Sequence, residues 1–161
     1  MLKKTLFLGY GNPDRGDDGA AWHILTQLFK EHGNSEIDLF DSDVVALNEN
    51  IDVWFNFQLL PEISETLASY QKAVFLDAHT GEIKEDINFQ EIRPVYQNSP
   101  FTHHMTPASL LALADSINGK YPKSWLLSVR GFSFKFERGL TPKTNNLCDQ
   151  ALELLRNNFL K

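Results

Sequence analysis

The sequence predicts an α/β fold: a three-layer α/β/α sandwich around a mostly parallel sheet of about five strands. Three observations predict it. Uninterrupted apolar runs end in glycine or aspartate, as strands covered on both faces do. Amphipathic segments with a 3.6-residue period lie between those runs, which makes the connections helical. Finally, 161 residues at 42% hydrophobic and 22% charged composition suit one domain with a sizeable core, here expected to span residues 1–161.

The elements follow in order. Residues 3–9 (KKTLFLG) read as a buried strand entering a tight turn at Gly9 and Gly11. In the turn GYGNPDRGDDG, Asp17 or Asp18 is expected to cap a helix over 18–31 whose apolar face is Ala21, Ile24, Leu25 and Leu28. EIDLFDSD (36–43) alternates apolar and acidic residues and reads as a second strand. IDVWFNFQLL (51–60) is β-prone, with no local mark separating strand from loop. Pro61 opens the helix PEISETLASY, with Glu62 and Glu65 near its positive end.

KAVFLDAHTG (72–81) is a strand with the apolar run Ala73–Leu76, ending in Asp77. INFQEIRPV (87–95) alternates and reads as an edge strand closed by Pro94. After the loop QNSPFTHHM, Thr106 caps a helix with Pro107 at its first position and Leu110, Leu111, Leu113, Ala114 and Ile117 as its buried stripe. SWLLSVRGFSF (124–134) is the next strand. GLTP repeats the Thr-Pro helix start, and Leu147, Ala151, Leu152, Leu155 and Phe159 line the last helix.

The net charge of −6 and the absence of a basic block argue against a nucleic-acid partner. No run reaches the ~18 apolar residues of a membrane span, and the apolar run near Met1 is too short for a signal-peptide core. One cysteine, Cys148, excludes an internal disulfide framework and a zinc finger. These features describe a soluble, cytoplasmic protein.

Sites in open α/β sheets form at the carboxyl ends of strands. Three polar clusters fall there: Asn12 to Asp18, Asp77 to Thr80, and His103–His104 ahead of a helix. Two carboxylates and an imidazole converging on one crevice suit a borderline cation such as nickel or zinc. Each piece alone has a plainer reading: a helix-cap acid, a carboxylate satisfying strand-end amides, a solvated histidine pair. His79 would share the side of Asp77 if its strand continued, but Thr80-Gly81 predicts that the chain has already turned. His23 reads as a boundary histidine. Arg130 suits a substrate carboxylate or a salt bridge to a loop aspartate. Gly9-Tyr10-Gly11 begins like a dinucleotide fingerprint, but position 14 is Asp14, and Asp14, Asp17 and Asp18 would repel a pyrophosphate. No G-x-S-x-G elbow is present, and Cys148 falls inside a helix, so nucleophilic serine or cysteine chemistry is not expected.

Taken together, LGYGNPDRGDDGA, FLDAHTG, THHMTPASLLALA and the terminal GLTP helix resemble the hydrogenase maturation proteases. These endopeptidases trim the C-terminal extension of nickel–iron hydrogenase large-subunit precursors. The resemblance runs from Leu6 to about Leu155. It implies that Asp18, Asp77 and His103 are the metal-binding and catalytic residues, with His104 one step away as the alternative imidazole. Several members of the family carry Glu where this chain has Asp18. The resemblance further implies that the nickel arrives mounted in the substrate, with zinc or cadmium able to stand in for it in crystals. Bonds of ~2.0–2.2 Å would then bring the donor atoms about 3–4 Å apart. Readings from other classes are a metal-binding or carrier module on the same scaffold, and a small metal-dependent hydrolase.

Overall fold

The computed structural model describes residues 5–34, 38–40, 43–96 and 104–161. Six strands form one sheet: β1 (Thr5–Tyr10), β2 (Val45–Ala46), β3 (Ile51–Asn56), β4 (Lys72–His79), β5 (Ile87–Ile92) and β6 (Lys123–Arg130), in the order β2-β3-β1-β4-β6-β5. The four inner strands are parallel, and the two outer ones, β2 and β5, run antiparallel. The sixth strand, beyond the five or so expected, is the two-residue β2.

Helices cover both faces, as the inner strands' double apolar character requires. Helices α1 (Ala20–Glu31) and α4 (Pro142–Phe159) pack on one face, where the core holds Phe7, Val74 and Leu76. Helices α2 (Ile63–Ala68) and α3 (Pro107–Asn118) cover the other, against Leu6, Leu8, Ala73 and Phe75. Side chains therefore alternate between the two cores along β1 and β4. At the far end of α4, Phe159 sets its ring edge-on to Phe7 and Trp125, at 5.9 and 5.3 Å between centroids.

The Thr-Pro starts form as local chemistry dictates. Thr106 accepts the Ser109 amide at 3.1 Å while the Ser109 hydroxyl accepts the Thr106 amide at 2.8 Å, a reciprocal cap. Thr141 caps α4 through the Thr144 amide at 3.3 Å.

Three expectations change, and one open reading is settled. Residues 38–40 form a turn rather than part of a strand over 36–43, and positions 35–37 and 41–42 lie outside the described residues. Leu39 is buried, so the alternation there reflects one inward turn residue and not a ladder. The segment 51–60 resolves into β3 and a loop after Asn56. Ile117 is 64% exposed, so the buried stripe of α3 ends at Ala114. Helix α1 begins after Gly19 with no side-chain cap, because both aspartates ahead of it are engaged elsewhere. No helix among the described residues is long and apolar enough to cross a membrane.

Candidate functional site

The order in which strands are added to the sheet reverses about β1: β3 lies on one side of it and β4 on the other. The crevice beyond the carboxyl ends of β1 and β4 is thus the topological switch point, where α/β sheets bind their ligands. Two of the residues singled out from sequence come to it. Asp18 follows β1 in a short 3-10 turn (Gly16–Gly19), and Asp77 lies near the end of β4.

Each carboxylate is oriented by backbone. Asp18 Oδ2 accepts the Asn12 amide at 2.7 Å. Asp77 Oδ1 accepts the amide of Ala78 at 2.7 Å, and the Tyr10 hydroxyl donates to the same carboxylate. Burial raises the Asp77 pKa to about 7. The bonds from Tyr10 and Ala78 oppose that rise, while the nearby charges of Asp18 and Glu82 add to it. The structure thus brings Asp18 and Asp77 within electrostatic reach of each other, and each carboxylate keeps lone pairs free for a cation.

His103 lies outside the described residues. His104 is exposed, and among the described residues no group of three or more His, Cys, Asp or Glu side chains is arranged to hold a metal ion. Among the described residues, the donors brought to the crevice are two carboxylates. That set fits a hard or borderline divalent cation and leaves coordination positions for an imidazole, water or substrate.

Tyr10 is a site residue that sequence reasoning missed. Its only signal was a tyrosine set between two glycines in a turn. Burial lifts its pKa well above the ordinary phenol value, and the charge of Asp77 lifts it further, so the hydroxyl stays a donor. Tyr10→Phe is expected to move the Asp77 titration upward in the metal-free protein, because a bond favouring the carboxylate is lost. Carboxyl carbon NMR across pH 5–9 (roughly two units either side of that value) checks it.

Gly11 holds the turn together. Its φ of +133° and the proximity of the Asp18 carbonyl oxygen leave no room for a β-carbon. Gly11→Ala is expected to cost about 1–3 kcal/mol and to displace Asp18, read as a lower thermal midpoint together with weaker cation binding.

Asp17 is not a helix cap. Fully buried, it reaches a loop more than a hundred positions away. Its Oδ2 accepts the Phe132 and Ser133 amides at 2.7 and 3.1 Å and the Thr141 hydroxyl at 2.8 Å, and its Oδ1 takes the Thr141 amide at 2.7 Å. Burial alone would raise its pKa, but these bonds win and leave it below the ordinary value. Asp17 anchors the turn from which Asp18 projects.

Strand β4 runs on through His79, held by its pairing with Arg130 and by the Gly131 amide donating to the His79 carbonyl at 2.8 Å. His79 accordingly shares the face of Asp77, and the expected turn falls after it. Arg130 pairs with Asp86 of the β4–β5 loop at 3.6 Å rather than with an aspartate of the glycine turn, while Asp14 pairs with Arg138 at 2.9 Å. His23 is half-buried on α1, as a boundary residue.

No protein-family profile and no curated protein matches this sequence. Solved structures do match its fold. A hydrogenase maturating endopeptidase, HybD from E. coli, superposes with a TM-score of 0.67 at 19% identity, covering 97% of this chain and 94% of its own. A [NiFe] hydrogenase maturation protease, HycI from Thermococcus kodakarensis, gives 0.65 at 16% identity over 99% and 94%. A hydrogenase 2 maturation peptidase from a Thaumarchaeota archaeon gives 0.63 at 20% identity over 99% and 100%. At these identities the likeness establishes the fold.

Proposed function

We propose that this chain is a cytoplasmic endopeptidase that removes the C-terminal extension of a nickel-loaded [NiFe] hydrogenase large-subunit precursor. The observation supporting it most is the nearness of the Asp18 and Asp77 charges, from two separate motifs, at the switch-point crevice of a fold shared with named hydrogenase maturation proteases. Nickel belongs to the substrate in this reading. Asp18 and Asp77 supply oxygen donors to it, and His103, or His104 beside it, supplies nitrogen.

The chain's own residues keep those donors in place. The Asn12 amide fixes Asp18, and the Tyr10 hydroxyl and Ala78 amide fix Asp77. Placing the precursor's metal here places the peptide that carries it, so the scissile bond is presented in one orientation. A divalent ion bound at such a site supplies Lewis acidity for a carbonyl or for attacking water.

The test is incubation with a nickel-loaded [NiFe] hydrogenase large-subunit precursor from the same organism, followed by intact-mass measurement. Loss of one C-terminal peptide is the expected result. An unchanged mass with the matched, nickel-loaded precursor overturns the proposal.

A further inference from the structure

Two buried side-chain polar atoms, His79 Nε2 and Arg130 Nε, have no hydrogen-bond partner among the described residues. They are neighbours by construction. His79 ends β4, Arg130 ends β6, and the two are partners across the parallel ladder, so both side chains leave the sheet on the face that carries Asp77.

Both orphans are donors. His79 is 2% exposed, and its Nδ1 accepts the Gly81 amide at 3.2 Å, which assigns the ring proton to Nε2. In that tautomer Nε2 has no lone pair for a metal. Arginine Nε–H only donates. A buried donor left unpaired costs free energy, so two at adjacent positions call for an acceptor beyond the described residues.

Nearby carboxylates do not provide one. Glu82 Oε2 is taken by the Thr80 amide at 2.8 Å, and Asp86 lies 3.6 Å from Arg130 Nη1 rather than at Nε. The guanidinium rests against Gly81, whose φ is +103° and where a β-carbon would come within 3.2 Å of Nη2.

The surroundings favour an anion. Arg130 lies over the Phe132 ring at 5.0 Å and Lys143 Nζ at 5.2 Å, so two cations share one aromatic ring on a protein of net charge −6. Arg130, Phe132 and Lys143 line a cleft of about 370 Å³ together with Asp86, the acid already paired with Arg130 Nη1.

We propose that His79 Nε2–H and Arg130 Nε–H form a paired-donor site for a carboxylate of the peptide substrate, with Lys143, which shares the Phe132 ring with Arg130, supplying a second positive charge nearby. This rests on the peptidase reading and adds a preference for an acidic residue near the metal-bearing segment. His79 and Arg130 are then positioning residues that select the substrate.

The test follows the His79 Nε2–H and Arg130 Nε–H resonances of the intact chain during titration with N-acetyl-Glu-Glu-amide or N-acetyl-Gln-Gln-amide. Both resonances should move with the acidic peptide at about tenfold lower concentration than with the neutral one, as charge-assisted bonds are stronger. Arg130→Lys, which keeps the charge and deletes Nε, should erase that preference. His79→Gln should weaken it, and Lys143→Gln should lower affinity for the acidic peptide while leaving both resonances responsive. Equal response to the two peptides, no movement of either resonance, or a preference surviving Arg130→Lys overturns the site. So does a bound water contacting both N–H groups that the acidic peptide leaves in place. Arg130→Lys, at a partly exposed side chain, decides the matter even if His79→Gln does not fold. No hydrogenase precursor enters this titration. Peptide binding without precursor cleavage therefore overturns the peptidase reading alone, and cleavage without the acidic preference overturns this site alone.

Discussion

Asp18→Asn and Asp77→Asn are each expected to reduce precursor processing by at least about a hundredfold, the upper range for losing even a residue that supports a metal ligand. The substitutions keep shape and remove the anionic donor, so the loss is chemical. Asp18 is half-buried and takes one backbone bond, which asparagine's carbonyl oxygen can retain. Its thermal midpoint should hardly change. Asp77→Asn is expected to raise the stability of the metal-free protein at pH 8. The carboxyl's folded pKa is raised to about 7 from an unfolded value of about 3.9, so its cost to stability builds between those two values and is in full force at pH 8, and amidation removes it. Activity lost with stability held or gained is the expected signature, read from a cleavage time course beside a melting curve. Processing at the wild-type rate in either variant overturns the assignment of that residue.

Asp17→Asn is expected to produce the opposite signature: a large loss of stability, about 3–5 kcal/mol, or roughly 10 °C in the thermal midpoint. Asp17 is completely buried, and its carboxylate is the acceptor for amides of Phe132, Ser133 and Thr141. An asparagine turns an NH2 group toward donors, leaving buried N–H groups unpaired. The pH dependence follows from the lowered folded pKa. Wild-type stability from this residue is complete above the unfolded carboxyl value of about 3.9 and drains away as pH falls from there toward the lower folded value. The variant should lack that component of acid sensitivity. Denaturant unfolding at pH 7 and at pH 3 separates the two; equal stability losses on acidification in both proteins would remove Asp17 as the anchor.

Much of the architecture was legible because its causes are local. Alternation of apolar side chains into two cores, the run Ala73–Leu76, the Thr106 and Thr141 caps and the edge character of β5 each depend on residues within a turn or a strand of one another. The acidic turn after β1 and the aspartate near the end of β4 were legible as candidates for the same reason, since strand ends can be found without knowing what they face.

What local pattern could not decide is where a polar side chain finds its partner. Asp17 and Asp18 are adjacent and chemically identical, and both read as caps for α1. One is buried against Phe132 and Thr141, and the other opens toward Asp77. His79 read as past its strand, yet the ladder to Arg130 carries β4 through it. The acidic alternation over 36–43 promised a strand and met a turn at residues 38–40. Periodicity, capping and turn chemistry act over three or four residues, while burial and hydrogen-bond partners are chosen by distant segments, more than a hundred positions away for Asp17. The sequence alone determined the sheet, its two covering layers and the residues available at its carboxyl edge. Tertiary structure decided which of those carboxylates is a buried anchor and which stays free to bind, because an acid's environment, and hence its proton affinity, is set by what packs against it.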